Sequence, residues 1–568
     1  MNQTPSICTV IEADLEVTPI GTRSRLTEPL LGIPVLRRTV ERVARAKNAG
    51  PTFVLCPLNH VERCSSILKG TQAIIRPHDG GPPPWRTLVQ TARKWSLDGW
   101  RGGIGGTTAF DEFVDVRLLA GLLEHVSADM VLSLPAAAPV LDPALCDRLV
   151  EHLRADDSDT RLAFSQAPPG LTGVLLHARL IKELAEKCSP LGWVFAYKPD
   201  DPRKDLIFET ACCSTPVEIR QSSGRLLADT DHSMNTLTDL LTDHSDPDGS
   251  TIGHWLMRRA ESHIPQLPRE VEIELTTDDP HPESLLRPRG SRVPQRGPID
   301  PAILQQITSE LMETDDSLVV LGGFGDPLCH PQLREVLHIL RPTPSNSPGV
   351  YGLAVRTSAT LSSINGRMSS GDLMELLMIH RVDVFGVLLD AWSAPLYARV
   401  QSPNAHEHAE LHAVLLFLDE LSEARQARNS VTPLILPEFT KIRENVHEMD
   451  NFFDGWIRKL GAAAITGYSH RAGQMPDRSV INMAPAARGP CRRIQSRCLV
   501  LADGTVTMCD QDYQGRFSVG KLTGRGSSGE SLQDIWQGAL FQRIRDGHQR
   551  EPFAPNELCA ACDEWHRP

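Results

Sequence analysis

No stretch of this chain carries the apolar run of roughly 18 to 20 residues that a bilayer-spanning helix needs, so no membrane association is expected. Positive charge is also short. Lys and Arg number 58 against 71 Asp and Glu, a net charge of -13, whereas a protein that grips nucleic-acid phosphates wants a basic face. The opening MNQTPSICTVIEADLEV lacks the basic segment and apolar core of a secretory signal and reads as the start of a strand. A cytoplasmic, reducing setting is therefore expected, and disulfides are not. Repeats and low-complexity tracts are missing as well. One further absence is local: none of the thirteen cysteines lies between 214 and 328, so that stretch offers no thiolate to a soft metal.

What is present is a soluble globular composition, 40% hydrophobic and 23% charged, over 568 residues. That length exceeds one ordinary core and predicts two to four domains. The last eighty residues carry the clearest chemistry. Cys491, Cys509, Cys559 and Cys562 are spaced C-x17-C-x49-C-x2-C. Between the first two, LVLADGTVTMC alternates apolar and polar residues around Asp503-Gly504, predicting a hairpin with a two-residue turn. Cys498 falls inside its first strand and reads as a small buried apolar residue. Four thiolates at this spacing suit an iron–sulfur cluster, which tolerates long gaps. They also suit a structural zinc, although zinc ribbons usually show two short C-x2-C knuckles and only one is present.

The stretch from Pro490 also holds C-x-x-D (Cys509 to Asp512), the strand VGKL, the helix SLQDIW, the continuation FQRIRDGH and the ending LCAACDEW. In that order they resemble the SPASM or shorter "twitch" subdomain of radical S-adenosylmethionine enzymes. With four cysteines, the resemblance implies one auxiliary [4Fe-4S] cluster on Cys491, Cys509, Cys559 and Cys562. Trp536, Phe541, Ile544 and Trp565 read as core.

Residues 1–245 alternate strand and helix: ICTVIEA, the amphipathic VLRRTVERVARAKNAG, TFVLCPL, SADMVLSLPAA and PALCDRLVEHLRA. This predicts an α/β domain with a mainly parallel, Rossmann-like sheet. The run TRSRLTEPLLGIPVLRRTVER resembles sugar-nucleotide nucleotidyltransferases of the cytidylyltransferase, GT-A-like group. The resemblance implies a nucleotide loop containing Arg23 and Arg25, which read otherwise as solvated. Gly32-Ile33-Pro34 stands where the family often has a lysine. Ser133, Pro135 and Ala136 stand near the place of the metal-holding aspartate, and Asp142 reads as a helix cap. Since phosphoryl-type transfer leans on a metal to neutralise charge, the domain is expected to bind a nucleotide or sugar-like ligand, or to act as a scaffold.

A polar linker is expected over 246–267, followed by βα units over 268–485: VEIELTT, SLVVLGG, YGLAVRT, VDVFGVLLDA and AAAITGYS with helices between. The pattern predicts a partial (β/α) barrel of the TIM type with ligands at the C-terminal strand ends. LGGFGDPLCHPQL resembles the segment of radical S-adenosylmethionine enzymes that lies over the cofactor's methionine. Gly322, Gly323, Asp326 and Pro327 match it in type, as a vestigial cofactor segment. That family also places C-x3-C-x2-C after its first strand, where Asp279, Glu283 and Leu286 stand here. Hard oxygen donors and a leucine cannot seat a [4Fe-4S] centre, so S-adenosylmethionine cleavage is not expected. Asp279, His281 and Glu283 could hold a different metal, but Pro280 and Pro282 suggest a stiff exposed loop. The basic RPRGSRVPQRG after it reads as a solvated linker or an anion contact.

The residues thus predict a 486–568 iron–sulfur subdomain kept while the radical-generating centre is lost. The expected role is redox or ligand-binding support to a partner, itself a redox or radical S-adenosylmethionine enzyme, in saccharide modification. The alternative is an active radical enzyme or a sugar-nucleotide transferase with atypical ligands, and enzymatic activity is left open.

Overall fold

A computed structural model describes residues 5–567 apart from 157–159, 263, 345–347, 365, 402–408 and 525–528. The chain divides into two compact units, Met1–Ala260 and Glu261–Pro568.

The first unit is built on six strands, β1 (Ile7–Glu12), β2 (Thr52–Pro57), β3 (Ile74–His78), β4 (Met130–Pro135), β5 (Leu162–Ala163) and β6 (Val174–His177). Their order is β3-β2-β1-β4-β6-β5. The first four are parallel, while β6 runs antiparallel to β4 and β5 antiparallel to β6. The chain steps outward from β1 to β3, then returns to the other side of β1 with β4. That reversal opens a crevice at the carboxyl ends of β1 and β4. β1 is buried along almost its whole length, as a parallel strand covered on both faces must be. The helix Val35–Val43 packs Val35, Leu36, Val40 and Val43 on the sheet. The stretch 246–267, expected as a linker, instead contains the helix Gly249–Ser262, whose Ile252, Trp255 and Leu256 belong to the first core. Asp142 does cap its helix, accepting from the Ala144 N–H at 2.8 Å.

The second unit carries β7 (Glu270–Glu274), β8 (Leu318–Gly322), β9 (Gly352–Thr357), β10 (Val384–Leu388), β11 (Leu434–Lys441) and β12 (Ala464–Gly467). These pair in chain order and all parallel, the order of a βα-wound wall. Helices such as Pro301–Leu311, capped by Asp300, and Met449–Leu460, ended by Gly461 at φ +73°, cover its outer face. β11 interrupts the expected count. Its sequence LILPEFTK holds Pro437 in the strand and a cis Thr432-Pro433 before it, and proline normally argues against an interior strand.

Three further strands extend the same sheet: β13 (Arg497–Val500), β14 (Thr505–Thr507) and β15 (Ser518–Lys521). β13 lies parallel to β7, with Cys498 opposite Val271 and Val500 opposite Ile273. The cysteine-rich C-terminus is therefore continuous with the wall, and one apolar core includes residues from both. The hairpin turn is longer than expected. Leu501 N donates to Thr505 O and Gly504 N to Leu501 O, both at 2.8 Å, leaving a three-residue loop. Gly504 takes φ +82°, the left-handed residue that closes such a loop.

Candidate functional site

The four cysteines come from three local structures. Cys491 precedes the short turn Arg493–Gln495, and Cys509 follows β14, where Thr507 Oγ1 donates to the Cys509 carbonyl at 3.3 Å. Cys559 lies in, and Cys562 just after, the one-turn helix Glu557–Ala561. Asn556 caps that helix by accepting from Cys559 N at 2.9 Å. Trp536 and Phe541 are buried, and Arg545 stacks on both rings at 4.0 and 4.1 Å. Trp565 is only part-buried, with Arg488 at 5.9 Å from its ring.

Every one of the four sulfurs receives a hydrogen bond of the kind that favours thiolate. The backbone N–H groups of Ile494 and Arg493 serve Cys491, and that of Gln511 serves Cys509. The Asn556 side chain serves Cys559, and Glu564 N lies 3.3 Å from the Cys562 sulfur. Cys491 is also within electrostatic reach of each of the other three. Burial, reinforced by these neighbouring thiols, pushes Cys559 up to about 12 and Cys562 up to about 11. The metal-free thiols are thus neutral, and metal capture would release protons. Two cations balance the charge that bound thiolates would bring. Arg488 donates to the Cys562 carbonyl at 2.9 Å, and Arg493 faces Cys491 and Cys509 while pairing with Asp510 at 3.0 Å. Among the described residues no three His, Cys, Asp or Glu are placed to grip a single ion. Clustered sulfurs with N–H donors and flanking arginines fit an iron–sulfur cluster, whose four thiolates stand further apart than those on one zinc.

The strand-end loop of the same unit is different. Asp279, Glu283 and Leu286 do not converge. Asp279 is buried against Arg289 and its Oδ1 accepts from His281 N at 2.7 Å. Glu283 is exposed, and Leu286 sits in the core at 3% exposure. His281 is buried too, its Nε2 2.9 Å from Thr360 Oγ1 and 3.2 Å from the Tyr397 hydroxyl. The loop expected to be exposed is therefore tucked in at Asp279 and His281. The basic run beyond it is not a solvated linker either. Arg287 pairs with Asp390 at 2.9 Å, Arg292 donates to the Ser284 carbonyl at 2.7 Å, and Arg296 clasps Glu274 through two bonds of 2.6 and 2.9 Å.

The glycine segment is closed on itself. Gly323, at φ +78°, lies so near β7 that a Cβ would meet that of Glu274 at 2.6 Å. Its N–H donates to Glu272 at 3.0 Å and that of Phe324 to Glu274 at 3.3 Å. Asp326 is 2% exposed, and its carboxylate accepts from Leu328 N, Thr357 Oγ1, Ser358 N and Ser358 Oγ at 2.7 to 2.9 Å. Pro327 begins the short turn that follows. Four internal donors saturate Asp326, so the carboxylate that resemblance would offer to a methionine amino group is already used. The inner face beside it carries a run of charges that sequence reasoning missed. Arg356 binds Glu438 through 2.9 and 2.6 Å bonds, next to Gly322 and Gly386. Burial lifts the Glu272 carboxyl, and Asp510 adds to that lift. Burial would raise Asp510 as well, yet Arg493 and Arg471 hold it far below the carboxylate range. The recurrence of Glu at i, i+2 and i+4 in β7, EVEIE, which puts three carboxylates on one face of the strand, was the available signal.

In the first unit a cavity of about 550 Å³ lies at the carboxyl ends of β1 to β4, lined by Glu12, Pro57, His78 and Pro135 among others. Arg25 reaches it but is buried, bound to Asp231 at 2.7 Å. Arg23 is mostly exposed and pairs with Glu28 at 2.5 Å. Pro135 and Ala136 form the wall where a metal carboxylate was looked for. Glu12, Arg86 and Asp14 escaped sequence reasoning, because a strand-end glutamate and a helix arginine carry no motif.

Parts of the chain are similar to known proteins. Residues 491–563 match the family model SPASM, described as an iron–sulfur cluster-binding domain. An uncharacterized protein of Treponema pallidum (strain Nichols) is 27% identical over 263 residues, 44% of this chain. The match covers 66% of that relative's length. The solved structure of BtrN in complex with AdoMet and 2-DOIA is 16% identical, covering 52% of this chain and 93% of its own with TM-score 0.33. SuiB of Streptococcus suis bound to S-adenosylmethionine is 10% identical over 59% and 85%, TM-score 0.36. A cytidylyltransferase from Leptospira borgpetersenii serovar Hardjo-bovis (strain JB197) is 13% identical over 45% and 93%, TM-score 0.31. Structures similar to parts of the chain thus include radical S-adenosylmethionine enzymes and nucleotidyltransferases. No helix among the described residues is long and apolar enough to cross a membrane.

Proposed function

We propose that this chain is a cytoplasmic redox accessory protein holding one auxiliary [4Fe-4S] cluster on Cys491, Cys509, Cys559 and Cys562. It would serve a partner enzyme of redox or radical type in the modification of saccharides. The observation that carries the reading is a contrast within one unit. Donor groups that favour the thiolate stand beside each of the four C-terminal sulfurs, while the strand-end loop is packed shut by the Asp279–Arg289 pair and by Leu286. A bound cluster would supply one-electron chemistry. This chain's own contribution is to hold the sulfurs as thiolates and to place Arg488 and Arg493 against their charge.

The test is iron, sulfide and zinc content with the visible spectrum after anaerobic purification. The reading expects about four irons per chain, lost in Cys559→Ala. About eight irons would mean that the strand-end loop binds a second cluster and would sink the accessory assignment. One zinc without iron would remove the redox role.

A further inference from the structure

The cavity of the first unit lies wholly within Met1–Ala260, and what it admits is independent of the iron–sulfur reading. Its position, outside the carboxyl ends of a parallel sheet at the strand-order reversal, is where open α/β sheets take ligands, and about 550 Å³ suits a small molecule. Its charges decide which kind. The guanidiniums that would meet a phosphate are engaged: Arg25 with Asp231 at 2.7 Å and Glu28 at 3.5 Å, Arg86 with Glu12 at 3.4 Å. Below them Glu112 and Asp229 also border the cavity, each held by buried arginines, Glu112 by Arg93 and Arg225, and Asp229 by Arg225. The end of β4 offers Pro135, Ala136 and Ala137 instead of an oxygen ligand for a divalent cation.

A nucleoside triphosphate would therefore enter without a metal seat on β4, with both arginines already bound to carboxylates, and against Asp14, for which no arginine partner stands among the described residues. The same wall suits a cation. Thr18, Thr87 and Gln90 add hydrogen-bonding groups, and Leu26, Phe113 and Leu118 add apolar surface. We propose that this cavity binds a compact, hydroxyl-bearing amine of the amino-sugar class, its ammonium met by Glu12 and Asp14, and turns nucleoside triphosphates away.

The protonation of Glu12 gives this an independent signature. Burial holds its carboxyl up at about 7; Asp115 and Asp14 push the same way, and Arg86 and Arg117 oppose them. His78, which also lines the cavity, is kept toward its neutral form by burial. An ammonium beside Glu12 favours the ionised form. While the ligand's amine stays protonated, its binding therefore releases a proton from Glu12 and tightens as pH rises through about 7, whereas an anion would bind more weakly over the same range.

The experiment is isothermal titration calorimetry of the full chain with glucosamine, and with glucose and CTP, the last with and without Mg²⁺. Glucosamine is expected to bind, glucose at least about tenfold more weakly, and CTP not at all, since a charge-assisted bond carries roughly that factor. Glu12→Gln and Asp14→Asn should each weaken glucosamine about tenfold with unchanged circular dichroism, and Glu12→Gln should flatten the pH dependence. The proposal fails if CTP binds as tightly as glucosamine, if glucose equals glucosamine, or if glucosamine binds no tighter than about 1 mM. It fails equally if both variants leave glucosamine affinity unchanged. Should Glu12→Gln not fold, Asp14→Asn, at a side chain 45% exposed, decides the question alone.

Discussion

Glu274 is the residue whose removal should be felt furthest. It ends β7, is fully buried, and accepts four hydrogen bonds from three partners: two from Arg296, one from Phe324 N in the glycine segment and one from Ala502 N in the cysteine hairpin. Glu274→Ala leaves the Arg296 guanidinium, only 7% exposed, without its counter-charge. Breaking one side of a buried pair costs about 3 to 5 kcal/mol. A unit of roughly 300 residues unfolds with about 2.1 cal/mol/K per residue, so about 4 kcal/mol lowers its Tm by about 6 °C. Arg296→Met should cost a similar amount by stranding the carboxylate. The double variant should cost less than the sum of the two by at least about 2 kcal/mol, because neither charge is then left alone. Scanning calorimetry of the four proteins reads this directly. If Glu274→Ala moves the second unit by less than about 1 °C, or if the two costs simply add, Glu274 does not tie these segments together.

Three other expectations follow from the same contacts. Asp279→Cys, Glu283→Cys and Leu286→Cys combined should not raise iron content, because one position is core and another is locked by Arg289; additional iron on anaerobic reconstitution would contradict the closed loop. Wild-type protein should show no S-adenosylmethionine binding by equilibrium dialysis, since Asp326 is saturated by Leu328, Thr357 and Ser358, and micromolar retention would refute that. The first unit should lose stability with rising pH through Glu12. Burial raises its folded pKa to about 7, so its contribution is full below about 4.5 and is lost as pH rises through 7, at most about 3 kcal/mol. Denaturant melts of wild type and Glu12→Gln at pH 5 and 8 should converge on that difference, and parallel profiles would exclude it.

The periodic strands ICTVIEA, TFVLCPL, SLVVLGG and VDVFGVLL were legible because burial on both faces leaves continuous apolar runs. β11 was not, since Pro437 and the preceding Thr432-Pro433 read as punctuation while the neighbouring strands override it. β3 and β6 were missed because an exposed edge strand and a short antiparallel return carry little pattern. The helix Gly249–Ser262 hid behind HSDPDGS, whose turn residues suggested a linker although Trp255 and Leu256 pack in the core. Cysteine spacing identified the candidate ligands; it could not identify Arg488 and Arg493 as their neighbours, because long-range charge pairing has no period in sequence.

The loop from Asp278 to Arg296 shows what that blindness conceals. Read alone, its acidic and basic halves look like solvated surface. Folded, they neutralise each other and the strand ends beneath them: Arg289 takes Asp279, Arg287 takes Asp390 and Arg296 takes Glu274. A strand-end loop without thiolates still has to supply partners for the buried polar groups around it. Paired charges and an inserted leucine satisfy both requirements, hydrogen bonds for the carboxylates and apolar packing for the remaining space. Arginine and carboxylate can close such a seat, but once closed it cannot admit a cluster unless the pairs are broken first, and each broken pair strands a charge at several kcal/mol. At the C-terminus the arginine–carboxylate pair beside the sulfurs, Arg493–Asp510, flanks Cys491 and Cys509, and donors on Ile494, Gln511, Asn556 and Glu564 serve the sulfurs themselves. Within one unit, arginines close the strand-end loop by pairing with its carboxylates, whereas at the cysteines Arg488 and Arg493 face the sulfurs.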